Sequence, residues 1–339
     1  MKRTIGNRNP SQGRRTAAGI GLIELMVALV LGLFITGAAI SVFLSNRQTY
    51  RATENLGRVQ ESTRVAFELM ARDVREAGGT PCAKNLPTAN VVDTTAGDWW
   101  ADWSTGVLGV EGPFASDNPA NRVAGTDAVE LKSGDSNGVT VTDHVPASAQ
   151  FKVNTVDHGL NDGDIVMVCD YRQAAIVQVT NAQPGINETI VHDASGASTS
   201  PGNCTKGLGI PVLCSGAATG TPYTYGPNST IVKLHSARWY IGTNANNNRA
   251  LYRQILRRSG TGVATVAEEI TEGVSDMQIT YLLPGNAAYV AAGAVGARWN
   301  EVQAARIELT LDSPEEVGVD GNVLQRTLVH TVTLRNRNS

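Results

Sequence analysis

Gly19-Ile20-Gly21-Leu22-Ile23-Glu24-Leu25-Met26 opens an apolar run that continues to Leu44. The twenty residues from Leu25 to Leu44 carry no charge, about the length a helix needs to cross the hydrocarbon of a bilayer. Glu24 stands at the front of that run, where an ionised carboxylate is costly and normally needs a partner. It is either a headgroup-level residue of a plain signal anchor or a carboxylate with a role inside the membrane. Ahead of it Lys2, Arg3, Arg8, Arg14 and Arg15 occur without any acid, which holds this end on the cytoplasmic side.

Between Ile20 and Ala77 there is no proline, and the chain passes from fully apolar to amphipathic near Ser45. One continuous helix is expected; at 1.5 Å per residue its 58 residues would extend roughly 87 Å, far beyond a bilayer. Leu56, Val59, Ala66, Met70, Val74 and Ala77 recur at three- and four-residue steps with Phe67 beside them, a stripe expected to pack on the protein's own head. Gly78-Gly79-Thr80-Pro81 should end the helix, glycine supplying a left-handed cap and proline forbidding continuation.

From Cys82 on the pattern changes to period two. Strands are expected at 127–132, 139–142, 165–169, 174–180, 231–234, 238–241, 250–256, 277–283, 305–311 and 327–334. The last two flank Asp320-Gly321, a turn signal for a terminal hairpin. Segments 84–126 and 181–230 read as loop-rich insertions, heavy in Gly, Pro, Asn and Thr.

The front of the chain resembles the signal of type IV prepilins, in which a basic leader ends in glycine and is cut before an apolar residue. The cut would fall between Gly19 and Ile20, the new Ile20 amine would be N-methylated, and Glu24 is then the fifth mature residue, the family's position for its glutamate. A secretory signal is instead cut after its apolar region, so this apolar helix would stay in the mature protein. Ser41-Val-Phe-Leu-Ser-Asn-Arg-Gln-Thr-Tyr50, Phe67-Glu-Leu-Met-Ala-Arg-Asp-Val-Arg-Glu-Ala-Gly-Gly79, Val274-Ser-Asp-Met-Gln-Ile-Thr-Tyr281 and Thr331-Val-Thr-Leu-Arg-Asn-Arg337 resemble the PilW family of minor pilins. The departure is Ile20, where many pilins have phenylalanine or methionine.

That resemblance implies an α+β, type IV pilin-like fold: a long N-terminal helix packed on a large antiparallel β-sheet head with loop-rich insertions. It divides the chain into a leader (1–19), a membrane and assembly half of the helix (20–44), an amphipathic half (45–78) and an extracytoplasmic head (79–339). The function implied is a non-catalytic minor pilin in a complex that primes pilus assembly, held in the inner membrane and then carried to the pilus tip. Its partners would be a prepilin peptidase, other minor pilins, the major pilin and a tip adhesin. Glu24 would pair with the N-terminal amine of a neighbouring subunit. A J-type pseudopilin of type II secretion shares these signals, and a membrane-anchored ligand-binding protein is the third class.

Loss of the leader would remove five basic residues and leave 23 against 31 acids, a net charge of −8, so nucleic acid is not an expected partner. Cys82, Cys169, Cys204 and Cys214 show no Cys-x-x-Cys spacing; in an oxidising periplasm they should be bridged. The short separation across Gly207, Gly209 and Pro211 favours Cys204 with Cys214, leaving Cys82 with Cys169. Free buried thiols are the alternative.

No cofactor, metal or catalytic motif is expected. His144, His158, His192, His235 and His330 lie far apart and read as surface or strand residues, and there is no nucleophile elbow, phosphate loop or His-Glu-x-x-His. Asp157, Asn161, Asp162 and Asp164 could gather calcium, or could simply form the turn into the next strand. Trp99, Trp100 and Trp103 either form a contact surface for another subunit or close the core of an insertion.

Overall fold

The computed structural model describes residues 21–79, 82, 86–94, 98–194, 199–214, 219–313 and 322–335. Gly19, Ile20, Thr80, Pro81 and the expected turn at Asp320-Gly321 lie outside the described residues. Helix α1 runs Leu22–Glu76. By its contacts the chain forms two units, one up to Glu54 and one from Asn55 on.

The strands of the second unit are β1 (Thr88–Asn90), β2 (Val107–Val110), β3 (Ala128–Asp135), β4 (Val141–Val145), β5 (Gln150–Val153), β6 (Ile165–Cys169), β7 (Ala174–Gln178) and β8 (Asn181–Ala182). They continue as β9 (Thr189–Val191), β10 (Thr230–Thr243), β11 (Arg249–Ser259), β12 (Gly262–Glu272), β13 (Val274–Leu282), β14 (Val290–Ala291), β15 (Ala304–Asp312) and β16 (Gln325–Thr333). The class is α+β, a long N-terminal helix with several largely antiparallel sheets; β1 joins β7 in parallel.

The largest sheet is organised by β10. One edge of β10 pairs with β6 over Thr230–Lys233 and then with β11 from Ala237, while the other carries β3 from Lys233 to Trp239. Two strands expected separately, 231–234 and 238–241, are therefore one, because Ser236 keeps extended backbone and its hydroxyl is satisfied by the Trp100 carbonyl at 3.0 Å. A second sheet is ordered β14-β13-β15-β16 and a third β4-β5-β9-β8.

Residues 55–76 of α1 pack by the expected stripe, but only from its second half. Ala66, Met70, Val74 and Ala77 share a core with Trp239, Leu251, Ile279, Ile307 and Leu309, while Leu56 stays partly exposed. Asp73 fixes the helix on the sheet. Arg253 donates to both its carboxylate oxygens from Nε and Nη2, each at 2.8 Å, and Trp239 Nε1 adds a third bond at 2.8 Å. Gly78 takes the left-handed backbone (φ 70°), yet its N–H donates to the Lys132 carbonyl of β3 at 2.8 Å instead of closing the helix on itself. The helix end is thus stitched directly into the largest sheet.

The segments expected to be loop-rich also hold short strands: β1 and β2 in the first, β8 and β9 in the second. Strands of two to four residues carry too few alternations for a period-two pattern to register.

Candidate functional site

The start of α1 is built by Glu24. Its carboxylate accepts the Gly21 N–H at 3.1 Å, and the Leu25 N–H returns to the Gly21 carbonyl at 3.1 Å. With Leu22 as the first helical residue, Gly21 is the N-cap and Glu24 the third residue, so the carboxylate supplies the backward arm of a capping box. It also sits where the helix dipole favours negative charge. The residues behind it expose their apolar side chains: Leu33 and Phe34 are 76% and 74% exposed. An eighteen-residue window here reaches a mean hydropathy of 2.5 with none of it buried by the protein, consistent with membrane anchoring. Thr36 and Ser41 return their hydroxyls to the helix's own carbonyls, Gly32 O at 2.7 Å and Ala38 O at 2.8 Å, so neither asks lipid for a partner. Gly32 and Gly37 have open space beside them, room for close approach of another helix. Gly19 and Ile20, the expected cleavage and methylation residues, are outside the described residues.

Two disulfides close the head: Cys82 to Cys169, spanning 87 residues, and Cys204 to Cys214, spanning 10. The first attaches the segment after α1 to the end of β6. The second closes the loop whose Leu208 carbonyl accepts Gln173 Nε2 at 2.7 Å.

Of the three clustered tryptophans two are core residues, and Trp103 is half-buried against the same cluster. Trp99 and Trp100 are buried with Ile165, Met167 and Val232, which removes them as an open contact surface. The Arg238 guanidinium lies 4.2 Å from the ring centroids of both Trp99 and Phe114. It meets the Glu130 carboxylate at 2.7 Å, and Lys132 Nζ approaches the same carboxylate at 3.5 Å. Burial lowers the pKa of Lys132 and of Arg238, with Glu130 opposing the shift in each. Sequence reasoning passed over this group, although a signal existed: Glu130 and Lys132 alternate onto one face of β3, and β3 pairs Glu130 with Arg238. Enclosed by aromatic faces, the group pins the 98–126 loops to β10 and offers no reacting surface.

Two carboxylates of the Asp157–Asp164 loop are committed elsewhere. Asp164 pairs with Lys233 at 2.7 Å and accepts the Asn161 N–H at 2.9 Å, while Asp162 accepts the Ala182 N–H at 2.6 Å. Those bonds are those of a turn into β6, and among the described residues no group of three or more His, Cys, Asp or Glu converges as a metal site would need. A polar cleft of about 480 Å³ lies between Gly125, Arg249, Asp276 and Asp312. Its charged groups are already engaged, Arg249 with the Ser275 carbonyl and Asp312 with Gln325.

His144, His235 and His330 lie on strands as expected, but two histidines far apart in sequence come together. His144 and His192 are both buried and their Nε2 atoms lie 3.4 Å apart. His158 is buried and accepts the Leu160 N–H; His330 lies against Phe67 of α1.

Residues 238–334 match the family described as Type IV Pilus-assembly protein W, PilW. The matched stretch begins at Arg238 in β10 and runs through Arg253 and the whole of the second sheet to Leu334. The match supports the PilW resemblance, a pilus-assembly-related protein and a structural role. No curated protein and no solved structure matches the chain.

Proposed function

We propose that this protein is a minor pilin: an inner-membrane prepilin cut between Gly19 and Ile20, whose mature form joins other minor pilins in a complex that starts pilus assembly and stays at the tip. The observation that carries the reading is the pairing of two independent features in one chain. The PilW match covers the head strands that grip α1 through Asp73, and the same helix begins with Glu24 at the front of an uncharged, lipid-length run.

In this reading the head faces the periplasm and α1 anchors it until assembly. Within the bilayer two unpaired charges are each unfavourable, the Glu24 carboxylate of one subunit and the Ile20 amine of the next. Docking that pairs them rewards one axial register. Until then Glu24 holds the Gly21 N–H of its own chain, so the intrachain cap is the state that subunit docking must replace or share. The prepilin peptidase, the other minor pilins, the major pilin and a tip adhesin are the partners this assigns.

The test is affinity purification of the full chain from detergent-solubilised membranes, with partners and mature N-terminus identified by mass spectrometry. Other minor pilins and a methylated Ile20 are the expected result. Recovery of secretion-system pseudopilins would move the protein to the J-type role. A chain still beginning at Met1, with no pilus component bound, would sink both.

A further inference from the structure

The His144–His192 pair lies in the third sheet and has no part in the assembly reading. His144 is on β4, and His192 directly follows β9. Phe151 of β5 packs at a tilt against both rings, with centroids at 4.4 and 4.7 Å. The Tyr225 N–H donates to His144 Nδ1 at 3.1 Å. That bond fixes the tautomer: Nδ1 is an acceptor, so the neutral His144 ring carries its proton on Nε2. This proton faces His192 Nε2 at 3.4 Å, which must accept, and His192 therefore carries its own proton on Nδ1. Nδ1 of His192 is buried without a partner among the described residues. A metal cannot bridge the two Nε2 atoms while the Tyr225 N–H occupies His144 Nδ1, because a neutral imidazole has one free lone pair.

The pair joins segments that also share a core, in which Val141, Phe151, Val153 and Ile190 lie with Leu208 and Tyr225. The His192 N–H donates to Ala149 O at 2.9 Å, and its carbonyl accepts Asn203 Nδ2 at 3.3 Å. Tyr225, on the far side of the Cys204–Cys214 loop, is the third attachment, its hydroxyl accepting from Gln173 Nε2 at 3.3 Å. Thr140 bridges Thr230 at the start of β10, whereas α1 reaches β10 at Trp239 through Asp73. The pair and the disulfide loop therefore sit at the end of the large sheet away from that clamp.

We propose that His144 and His192 form an acid-sensitive latch that closes the β4-β5-β9-β8 sheet on the Cys204–Cys214 loop and Tyr225 while both rings are neutral and releases it when they are protonated. A proton on His192 Nε2 turns the acceptor of the inter-ring bond into a second donor, and the bond between the rings becomes a repulsion. The charged neighbours do not rescue it. Asp143, the residue before His144 on β4, favours charge there but is outweighed by burial, and the pKa of His144 falls to about 4. Burial, His144 and Lys206 all disfavour charge on His192, whose pKa falls to about 3. From the segment before β10, the Tyr225 hydroxyl is itself pushed up by burial and supplies no counter-charge.

The sign follows from the direction of both shifts. Folded values lie below the ordinary 6.5, so the opened state binds protons that the closed state refuses. Closure is fully favoured above pH 6.5 and is lost progressively as pH falls toward 4. If both rings become free on opening, the opening constant rises by about 10³ between pH 7.5 and pH 5; with one titrating ring it rises by about 30.

The experiment is hydrogen exchange of the full chain in detergent at pH 7.5 and pH 5, corrected for intrinsic rates and resolved by peptide. Residues 141–153 and 181–192 should lose about 10³ in protection while β13 and β15 keep theirs. His144→Gln and His192→Gln keep an amide in place of each ring, and each should reduce the loss to about 30-fold. An unchanged wild-type protection at pH 5, an equal loss across all strands, or an undiminished loss in folded Gln variants would each overturn the latch. If neither variant folds, the wild-type slope decides: near two protons per opening supports the pair, and below one rejects it.

Discussion

Residues 22–44 and 66–77 of one helical stretch have similar helix formers and opposite fates. In the first, Leu33, Phe34 and Ile35 are exposed all round; in the second, Ala66, Met70, Val74 and Ala77 are buried on one face. The helix backbone is satisfied identically in both, so the side-chain pattern alone decides which solvent each stretch requires. An all-apolar surface is suited to lipid, and a single stripe is suited to the protein's own sheets. The buried stripe shares one core with residues of two sheets, and Asp73 adds direction that apolar contact lacks.

The comparison can be broken at its attachment points. The largest effect is expected at the bridge behind the helix. Cys82→Ser opens an 87-residue closure and should cost about 4.5 kcal/mol, whereas Cys204→Ser opens a 10-residue one and should cost about 2.5 kcal/mol on the loop-entropy account. Denaturant unfolding of the two variants measures the gap, and equal losses would refute that account.

Next comes packing. Met70→Ala removes a fully buried side chain and should lower head stability by about 3 kcal/mol. Leu33→Ala, a truncation of similar size at an exposed position, should change the same stability by less than about 0.5 kcal/mol. A substantial loss in Leu33→Ala would show that the apolar half is held by the head after all.

Smaller still is the clamp. Asp73→Asn keeps the shape but removes the charge that two Arg253 nitrogens and Trp239 address. About 2 kcal/mol should be lost in thermal or denaturant unfolding. Because Arg253 is 26% exposed, water can take over part of its solvation. A change within error would assign the hold of α1 to apolar contact alone.

Much of this is legible in the residues. The absence of proline between Ile20 and Pro81 and the three-four spacing of Ala66, Met70, Val74 and Ala77 mark the helix and its buried face. The alternation of Ile307, Leu309 and Leu311 marks β15. What is not legible depends on partners remote in sequence. β12 has no apolar alternation and is a strand because β11 pairs with it along its length. Glu130 is buried because Arg238 meets it across β10, and His144 finds His192 only after the chain has returned through β9. At the front of α1 the case is mixed. Glu24 stands out from its apolar surroundings, but its capping of Gly21 follows from where the helix starts, at Leu22.

That cap makes one substitution especially clean. Glutamine caps an N-terminus as glutamate does, so Glu24→Gln keeps the local bond to Gly21 and removes only the charge. In a strain lacking the native copy, the measurement is co-purification of the other minor pilins together with a count of sheared pili. The account predicts a variant that inserts, accumulates and is processed normally but fails to join the minor pilins and supports few pili. Normal co-purification and normal piliation would contradict it, leaving Glu24 as a helix cap and nothing more.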